Sequence, residues 1–443
     1  MGTRLATVLF ATVCAAVAQE APQVVSLDPP NAAEVDAKTT QRLTVTFDRA
    51  MATGGQSLCG GGVTFPKIVG QVRWTNDRTL VVDVELEPDH EYRLSVNCPA
   101  AQNTRGKDGA PVAPTAWTFT TLPARLRPAA EQKQRNQKAM NVLLKALAEN
   151  YSHRDLRVQD WPKLEKEHAP KLLAAKTDRG FAAAAAEMLK PTADLHLYLR
   201  LGEQTFATGS RAVDPLFRRP LLDQHVTVAP AGKQALAGRT ADGIGYLLIA
   251  AWTQEVDPEV IGGAITELAD TKAMIIDVRP NSGGNEALAR QVAAWFVEGT
   301  RTYAKNRVRV RAGKDGFGPV LERQITGHGE NRHYDRPIAV LTSRYVMSSN
   351  ESFVMMLRQA KDCVVVGQPT FGSSGNPKPF DLGNGVTAWV PSWQDLLPDG
   401  TPSEGKGVQP DVLVECSPQD LERRDPILEK ALELLRAKTA RAK

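Results

Sequence analysis

Between Val24 and Thr121 apolar residues recur at every second position. Leu43, Val45 and Phe47 alternate with polar neighbours, as do Tyr92, Leu94 and Val96, and Trp117 and Phe119 continue the pattern. Turn-forming pairs punctuate the runs at Asn76-Asp77, Pro88-Asp89 and Asp108-Gly109. A period of two with such punctuation predicts short strands with one buried face, hence a β-sandwich over residues 22–122.

After a proline-containing linker at Pro123–Pro128 the period changes. Ala139, Val142, Leu143, Ala146 and Leu147 follow helical spacing, and further helices are expected at Trp161–Ala175 and Phe181–Leu189. These place a helical segment at 127–192. From 193 to 418 strands and helices alternate. Gly245–Trp252, Ala273–Val278, Pro337–Leu341 and Cys363–Val366 are apolar runs typical of buried strands. Helices are expected between them: one over Val260–Leu268 with Asp257 as N-cap and Pro258 in the first turn, others at Glu286–Val297 and Ser349–Gln359. Repeated strand–helix–strand units argue an α/β core, closed by a last helix, Pro426–Ala437, within 419–443.

The first 18 residues form a separate class. Arg4 precedes an apolar run from Leu5 to Val17, and Ala16-Val17-Ala18 suits cleavage, so an export signal is expected and the mature chain should be periplasmic or secreted. No later run is long enough to cross a bilayer, so no stable membrane insertion is expected. A net charge of +4 over 443 residues is too small to single out nucleic acid as a partner. Once Cys14 is removed, the cysteines fall into two pairs, Cys59 with Cys98 and Cys363 with Cys416. In an oxidising compartment both pairs are candidate disulfides, with buried free thiols as the alternative. No metal-ligand spacing such as Cys-x-x-Cys or His-Glu-x-x-His occurs, so no metal is expected.

Three places can carry chemistry. Ser348 closes the stretch IAVLTSRYVM and opens a helix, where free backbone N–H groups favour a developing oxyanion. Ser348-x-x-Glu351 is equally a capping box. The segment DVRPNSGG at Asp277–Gly284 joins a buried strand to a helix; its two glycines allow close backbone approach, or simply a tight turn. In Asp194–Leu199 a strand would put the three leucines on one face, and Asp194, His196 and Tyr198 on the other. His196 is then a candidate general base or a solvated strand histidine.

Taken together these pieces resemble the tail-specific, or C-terminal-processing, serine peptidases, in particular the tricorn core protease branch. NYSHRDLRVQDW, EMLKPTADLH, GIGYLLIAAW, DVRPNSGG, SRYVMSSNESF, VVVGQPTFGSSG and EGKGVQPDVLVE follow in the family's order between Asn150 and Glu415. PPNAAEVDAKTTQRLTVTFDRAM and WTFTT are similar to bacterial Ig-like domains. The resemblance implies a core of the ClpP/crotonase-like type, a polypeptide or peptide substrate and no cofactor. It also implies Ser348 as nucleophile, His196 as base and Glu404 as its support, with backbone N–H groups of Gly283 or Gly284 and of Ser349 as the oxyanion hole. The lysine that one branch carries after T-x-G is replaced here by Ser373, and Leu195 stands where the tricorn pattern has serine. Leu201–Gly243 is too short for the PDZ domain of many relatives. The alternatives are a catalytically impaired binding protein on this scaffold, an adhesion or carbohydrate-binding protein led by the sandwich, and acyl-CoA chemistry.

Overall fold

The computed structural model describes residues 21–313, 315–329 and 332–441. The expected signal segment and Cys14 lie outside the described residues. The chain divides at Pro128 into two compact units.

In the first unit β1 (Val24–Asp28), β3 (Arg42–Phe47), β6 (Thr79–Glu85) and β5 (Lys67–Asn76) form one sheet in that order. The other sheet runs β2 (Ala33–Val35), β8 (Thr115–Thr121), β7 (Glu91–Val96), β4 (Leu58–Cys59). The residues that alternate in sequence fill the space between them: Leu43, Val45, Phe47, Tyr92, Leu94, Val96, Trp117 and Phe119 make one buried cluster. The Trp117 indole N–H donates to Pro29 O at 2.9 Å, which satisfies the one polar atom of a fully buried ring. Cys59 and Cys98 are joined by a disulfide.

The second unit opens with α1 (Ala129–Asn150), the short α2 (Arg154–Arg157), α3 (Trp161–Leu173) and α4 (Asp178–Leu189). Asp160 and Thr177 cap α3 and α4 by accepting from Lys163 N and Gly180 N. These helices pack on a four-stranded sheet ordered β10 (Gln204–Ala207), β9 (Tyr198–Leu201), β20 (Val386–Pro391), β19 (Pro377–Asp381). The expected strand at Asp194–Leu199 begins only at Tyr198. Asp194 accepts the His196 backbone N–H at 2.9 Å and folds Asp194–Leu197 into a turn, so the leucine alternation does not extend back to His196.

A seven-stranded sheet carries the rest. Its order is β11 (Thr227–Pro230), β12 (Ala235–Arg239), β13 (Ile244–Ile249), β14 (Ala273–Asp277), β17 (Ile338–Thr342), β18 (Cys363–Gly367), β22 (Val412–Leu413), parallel from β13 onward. Both faces are covered, which explains the unbroken apolar runs. Met274 and Ile276 face a cluster holding Ile261 and Ile265 of α6 (Pro258–Glu267), Val292 of α7 (Glu286–Ala293) and Phe353 of α8 (Ser349–Leu357). Ala273 and Ile275 face the opposite cluster, with Leu221 of α5 (Arg219–Leu222) and Ile427, Leu428 and Leu432 of α9 (Pro426–Arg441). A smaller sheet, β16 (Leu321–Thr326), β15 (Thr300–Val308), β21 (Trp393–Leu396), stands beside α7 and α8. The DVRPNSGG turn and the turn into α8 leave the carboxyl ends of the neighbouring strands β14 and β17, the usual place for a site in a parallel sheet.

The second expected disulfide is corrected. Cys363 and Cys416 are free thiols. Cys363 packs with the α8 side of the large sheet and Cys416 with the α9 side. Cys363 also begins β18, whereas Cys416 lies beyond the end of the parallel β22, so the two sit at opposite ends of one strand pair.

For a chain spanning residues 21–443, unfolding without reductant should therefore expose two titratable thiols. Finding none or four in a thiol titration would contradict this pairing. Replacing both Cys59 and Cys98 by serine should lower the stability of the first unit by about 3–4 kcal/mol, from the loop that the bond closes.

Candidate active site

Ser348 is where the strand–turn–helix passage of β17 and α8 becomes strained. Its backbone lies at φ 58° and ψ −134°, a region disfavoured for any residue with a Cβ. Such strain persists only where neighbours over-determine it. The Ser348 N–H is held by Ser373 O at 2.9 Å and by Glu351 Oε2 at 3.1 Å. Glu351 is the residue the capping-box pattern singles out, and it does more than cap. It also accepts from the Thr370 hydroxyl, from Gly372 N at 2.8 Å and from Ser373 N at 3.0 Å. Burial pushes its carboxyl up, to about 8, against hydrogen bonds that favour the anion. One buried side chain thus joins the turn at Ser348 to the Thr370–Ser373 loop.

The glycine turn meets Ser348 from the other side. Gly283 has φ +108°, and a Cβ there would lie 2.9 Å from both Met347 O and Ser348 Cβ. At Gly284 (φ +134°) a Cβ would stand 2.2 Å from Trp252 O. No other residue fits either place without backbone movement. Asn350 in the first turn of α8 clamps the two segments, donating to Val278 O and Asn281 O and accepting from the Trp252 indole. Beneath the turn Arg279 is fully buried between Asp277 and Asp425 and reaches Leu216 O, while Tyr246 donates to Asp277. Of the expected oxyanion donors, Gly283 gives its N–H to Asn281 Oδ1 at 2.8 Å. Gly284 and Ser349 line a cavity of about 580 Å³ beside Ser348.

His196 comes from the turn before β9. Its Nε2 lies 3.1 Å from Ser348 Oγ and its Nδ1 3.1 Å from Ser373 Oγ. Burial depresses the pKa of this imidazole; the Asp194 carboxylate opposes that effect, while His153, Arg211 and Arg157 add to it. A half-buried ring whose neutral form is favoured, in contact with a hydroxyl, can take its proton.

Glu404 is not where the resemblance implied. Its carboxylate pairs with Arg157, accepts from Ser374 N at 3.1 Å and stands 3.6 Å from His153 Nε2. The residue on the rear nitrogen of His196 is Ser373 instead. The reason lies in the α1–α3 region, which brings Tyr151, His153 and Arg157 between Glu404 and Asp194. Tyr151 OH and His153 Nδ1 both meet Asp194 Oδ2, at 2.9 and 3.2 Å. Burial works against the charge of His153, but its bond to Asp194 and the field of Glu404 prevail and raise its pKa. Burial likewise opposes ionisation of Asp194, yet His153 and His196 hold it down to about 2. Asp194 therefore fixes the turn that carries His196 through the backbone, not through the ring.

His153, Asp194 and Glu404 offer ligand atoms within 4.8 Å of one another. Arg157 and Tyr151 already engage these carboxylates, so the group works as an internal ion-pair network. His153, Arg157 and Ser373 escaped the sequence reading. The first two stand in NYSHRDLRVQDW, and Ser373 was noted only as a missing lysine.

Comparison with known proteins fits this layout. Residues 243–414 match the model of peptidase family S41, and residues 18–121 match that of a bacterial Ig-like domain. The carboxy-terminal processing protease CtpB of Bacillus subtilis (strain 168) is 23% identical over 174 residues, 39% of this chain and 34% of its own length. The chloroplastic carboxyl-terminal-processing peptidase 2 of Arabidopsis thaliana is 26% identical over 192 residues, 42% of this chain and 35% of that protein. The chain thus spans about a third of the length of these curated relatives. A solved structure from Parabacteroides merdae ATCC 43184 has a TM-score of 0.60 at 23% identity and covers 68% of this chain and 96% of that one. Mature CPAF has a TM-score of 0.52 at 13% identity, covering 69% and 97%. These two show likeness of fold.

Glu351→Gln tests the junction, because an amide puts a donor where backbone N–H groups need an acceptor. It should lower stability by about 2–4 kcal/mol through orphaned buried donors. An unchanged denaturation midpoint in urea would show that the junction carries no such weight.

Proposed function

We propose, for a chain that carries a peptidase family S41 domain behind a bacterial Ig-like domain, that it hydrolyses peptide bonds through an acyl-enzyme on Ser348. The observation that supports this best is the 3.1 Å contact between Ser348 Oγ and His196 Nε2 at a strained helix N-terminus. Ser348 Oγ attacks the scissile carbonyl carbon while His196 Nε2 takes its proton. The oxyanion forms against the N–H groups of Gly284 and Ser349, both of which line the cavity. His196 then passes the proton to the leaving amine as the C–N bond breaks. Water, deprotonated by the same ring, releases the acyl group.

In this scheme Nε2 must be free to accept, so the ring proton sits on Nδ1 and donates to Ser373 Oγ. Ser373 takes the orienting part first assigned to Glu404, and Glu404 holds the Ser374 backbone and the His153–Arg157 network. The substrate is a polypeptide or peptide. Export suits the Cys59–Cys98 disulfide, which persists in oxidising compartments. No described helix is long and apolar enough to cross a membrane. One observation favours a rival, a binding protein that has lost catalysis: no carboxylate contacts the His196 ring in the described residues. Covalent labelling of folded protein by a fluorophosphonate decides between them, since labelling at Ser348 requires an activated hydroxyl.

Ser348→Ala should reduce turnover of casein or a tail peptide on the order of 10⁶-fold with the fold retained. Cleavage at the parent rate would end the assignment. Ser373→Ala should lower kcat about five- to tenfold, the worth of one neutral hydrogen bond, and leave KM nearly unchanged. A larger loss in Glu404→Gln than in Ser373→Ala would restore Glu404 as the support. Because His196 must be neutral to act and burial depresses its pKa, the acid limb of kcat/KM should lie below the ordinary histidine value of 6.5. A limb centred above that value would contradict the environment described for His196.

A further inference from the structure

A second histidine lies behind His196, and the acyl-transfer scheme does not use it. His153, just before α2, is fully buried and has a carboxylate at each ring nitrogen. Its Nδ1 stands 3.2 Å from Asp194 Oδ2 and its Nε2 3.6 Å from Glu404 Oε2. Nε2 is shut off from solvent and makes no hydrogen bond among the described residues. A neutral imidazole carries one N–H. With the proton on Nδ1, the Nε2 lone pair faces Glu404; with the proton on Nε2, the Nδ1 lone pair faces Asp194. Either tautomer sets a lone pair against a carboxylate where water does not reach, which is costly. Only the doubly protonated ring offers a donor to both sides.

The charge balance points the same way. Asp194 and Glu404 are the anions at the ring, and Arg157 of α2 pairs with Glu404. Tyr151 OH donates to Asp194 and is kept neutral by burial. Arg154 and Asp155, also on α2, are paired off with Glu165 and Arg309. Two carboxylates therefore face one guanidinium until His153 supplies a second positive charge. Burial alone would drive its proton off, yet the Asp194 bond and the field of Glu404 raise its pKa.

These carboxylates hold two parts of the site. Asp194 Oδ1 accepts the His196 N–H and fixes the turn of the candidate base. Glu404 Oε2 accepts the Ser374 N–H, next to Ser373, whose hydroxyl touches His196 Nδ1. The first arrangement carries a conflict. A carboxylate so close to His196 favours its protonated form, whereas the base must be neutral to take the Ser348 proton. A positive charge on His153 opposes that field, as do Arg211 and Arg157.

Resting on the peptidase reading above, we propose that His153 is a positioning residue held as an imidazolium. It ties the Asp194 turn to the Glu404 loop, and its charge lets Asp194 shape the turn without protonating His196.

The test follows the histidine ring nitrogens by nitrogen NMR in the full folded chain, for the parent and for His153→Gln. In the parent at neutral pH, both nitrogens of His153 should carry protons while His196 keeps one bare nitrogen. In His153→Gln the titration of His196 should move up by about one unit, since the opposing charge is gone. Fluorophosphonate labelling of Ser348 below both values should then be about tenfold slower than in the parent and recover as pH rises. A merely structural role for His153 would not give a loss that pH restores. A singly protonated His153 in the parent, which needs no variant to detect, overturns the proposal, as does a His196 titration unmoved in His153→Gln. Absence of labelling in the parent, with both spectra as expected, overturns the nucleophile reading and leaves the assignment of His153 standing.

Discussion

The buried carboxylate of Glu351 is the constraint on which the candidate site depends. Left alone, a serine would not adopt the backbone of Ser348, and the Thr370–Ser373 loop would have N–H groups without partners. Glu351 meets both needs with one side chain, because the two oxygens of its carboxyl group accept four hydrogen bonds between them. The nucleophile candidate and Ser373, which touches the base candidate, are therefore placed by the same group. Displacing the carboxylate would move Ser348 and Ser373 together. Asn350, the residue before it, ties the helix to the glycine turn. The first turn of α8 is a junction of three segments, and its burial follows from that.

Burying polar groups on this scale is costly unless each is paired. The core meets the requirement in three clusters: Asp277–Arg279–Asp425 with Tyr246 below the glycine turn, Asp194–His153 with Tyr151, Arg157 and Glu404 behind His196, and Glu286–Arg323–Asp395 under the cavity. Each cluster supports a different part of the candidate site, namely the glycine turn, the turn carrying the imidazole and the cavity floor. Apolar replacements would leave these loops free to shift. The ionic groups fix directions that dispersion contacts, being non-directional, do not.

What could be read from the chain divides along the same line. Strands such as Ala273–Asp277 and helices such as Pro258–Glu267 were legible because apolar period and capping residues are local signals. Ser348 and the glycine turn were legible as places where chemistry fits, and the motif order joined them. The errors arise where long-range pairing decides. At Asp194 an Asx-type turn overrode the leucine alternation, so the strand starts at Tyr198. Glu404 carries the residue type its motif implies, but Arg157 and His153, about 250 positions earlier, claim its oxygens. Even cysteine count suggested two disulfides, and only the sheet shows that Cys363 and Cys416 lie on opposite faces.

Ser373 illustrates how the substitution of one residue changes what its neighbours must do. In the branch with a lysine base, the resemblance places that lysine directly after the T-x-G element, which here would be the position of Ser373. A serine cannot reach Ser348 as a base, and its hydroxyl is too weak an acid-base group to replace an amine. What it can do is hold the candidate base. The His196 ring fills the gap between Ser348 Oγ and Ser373 Oγ, with one nitrogen on each. A shorter side chain at 373 is thus a requirement for the imidazole and not merely the loss of a lysine. Leu195 fits the same logic: with Ser373 bonded to Nδ1, the serine that the tricorn pattern places before the histidine has no nitrogen left to orient.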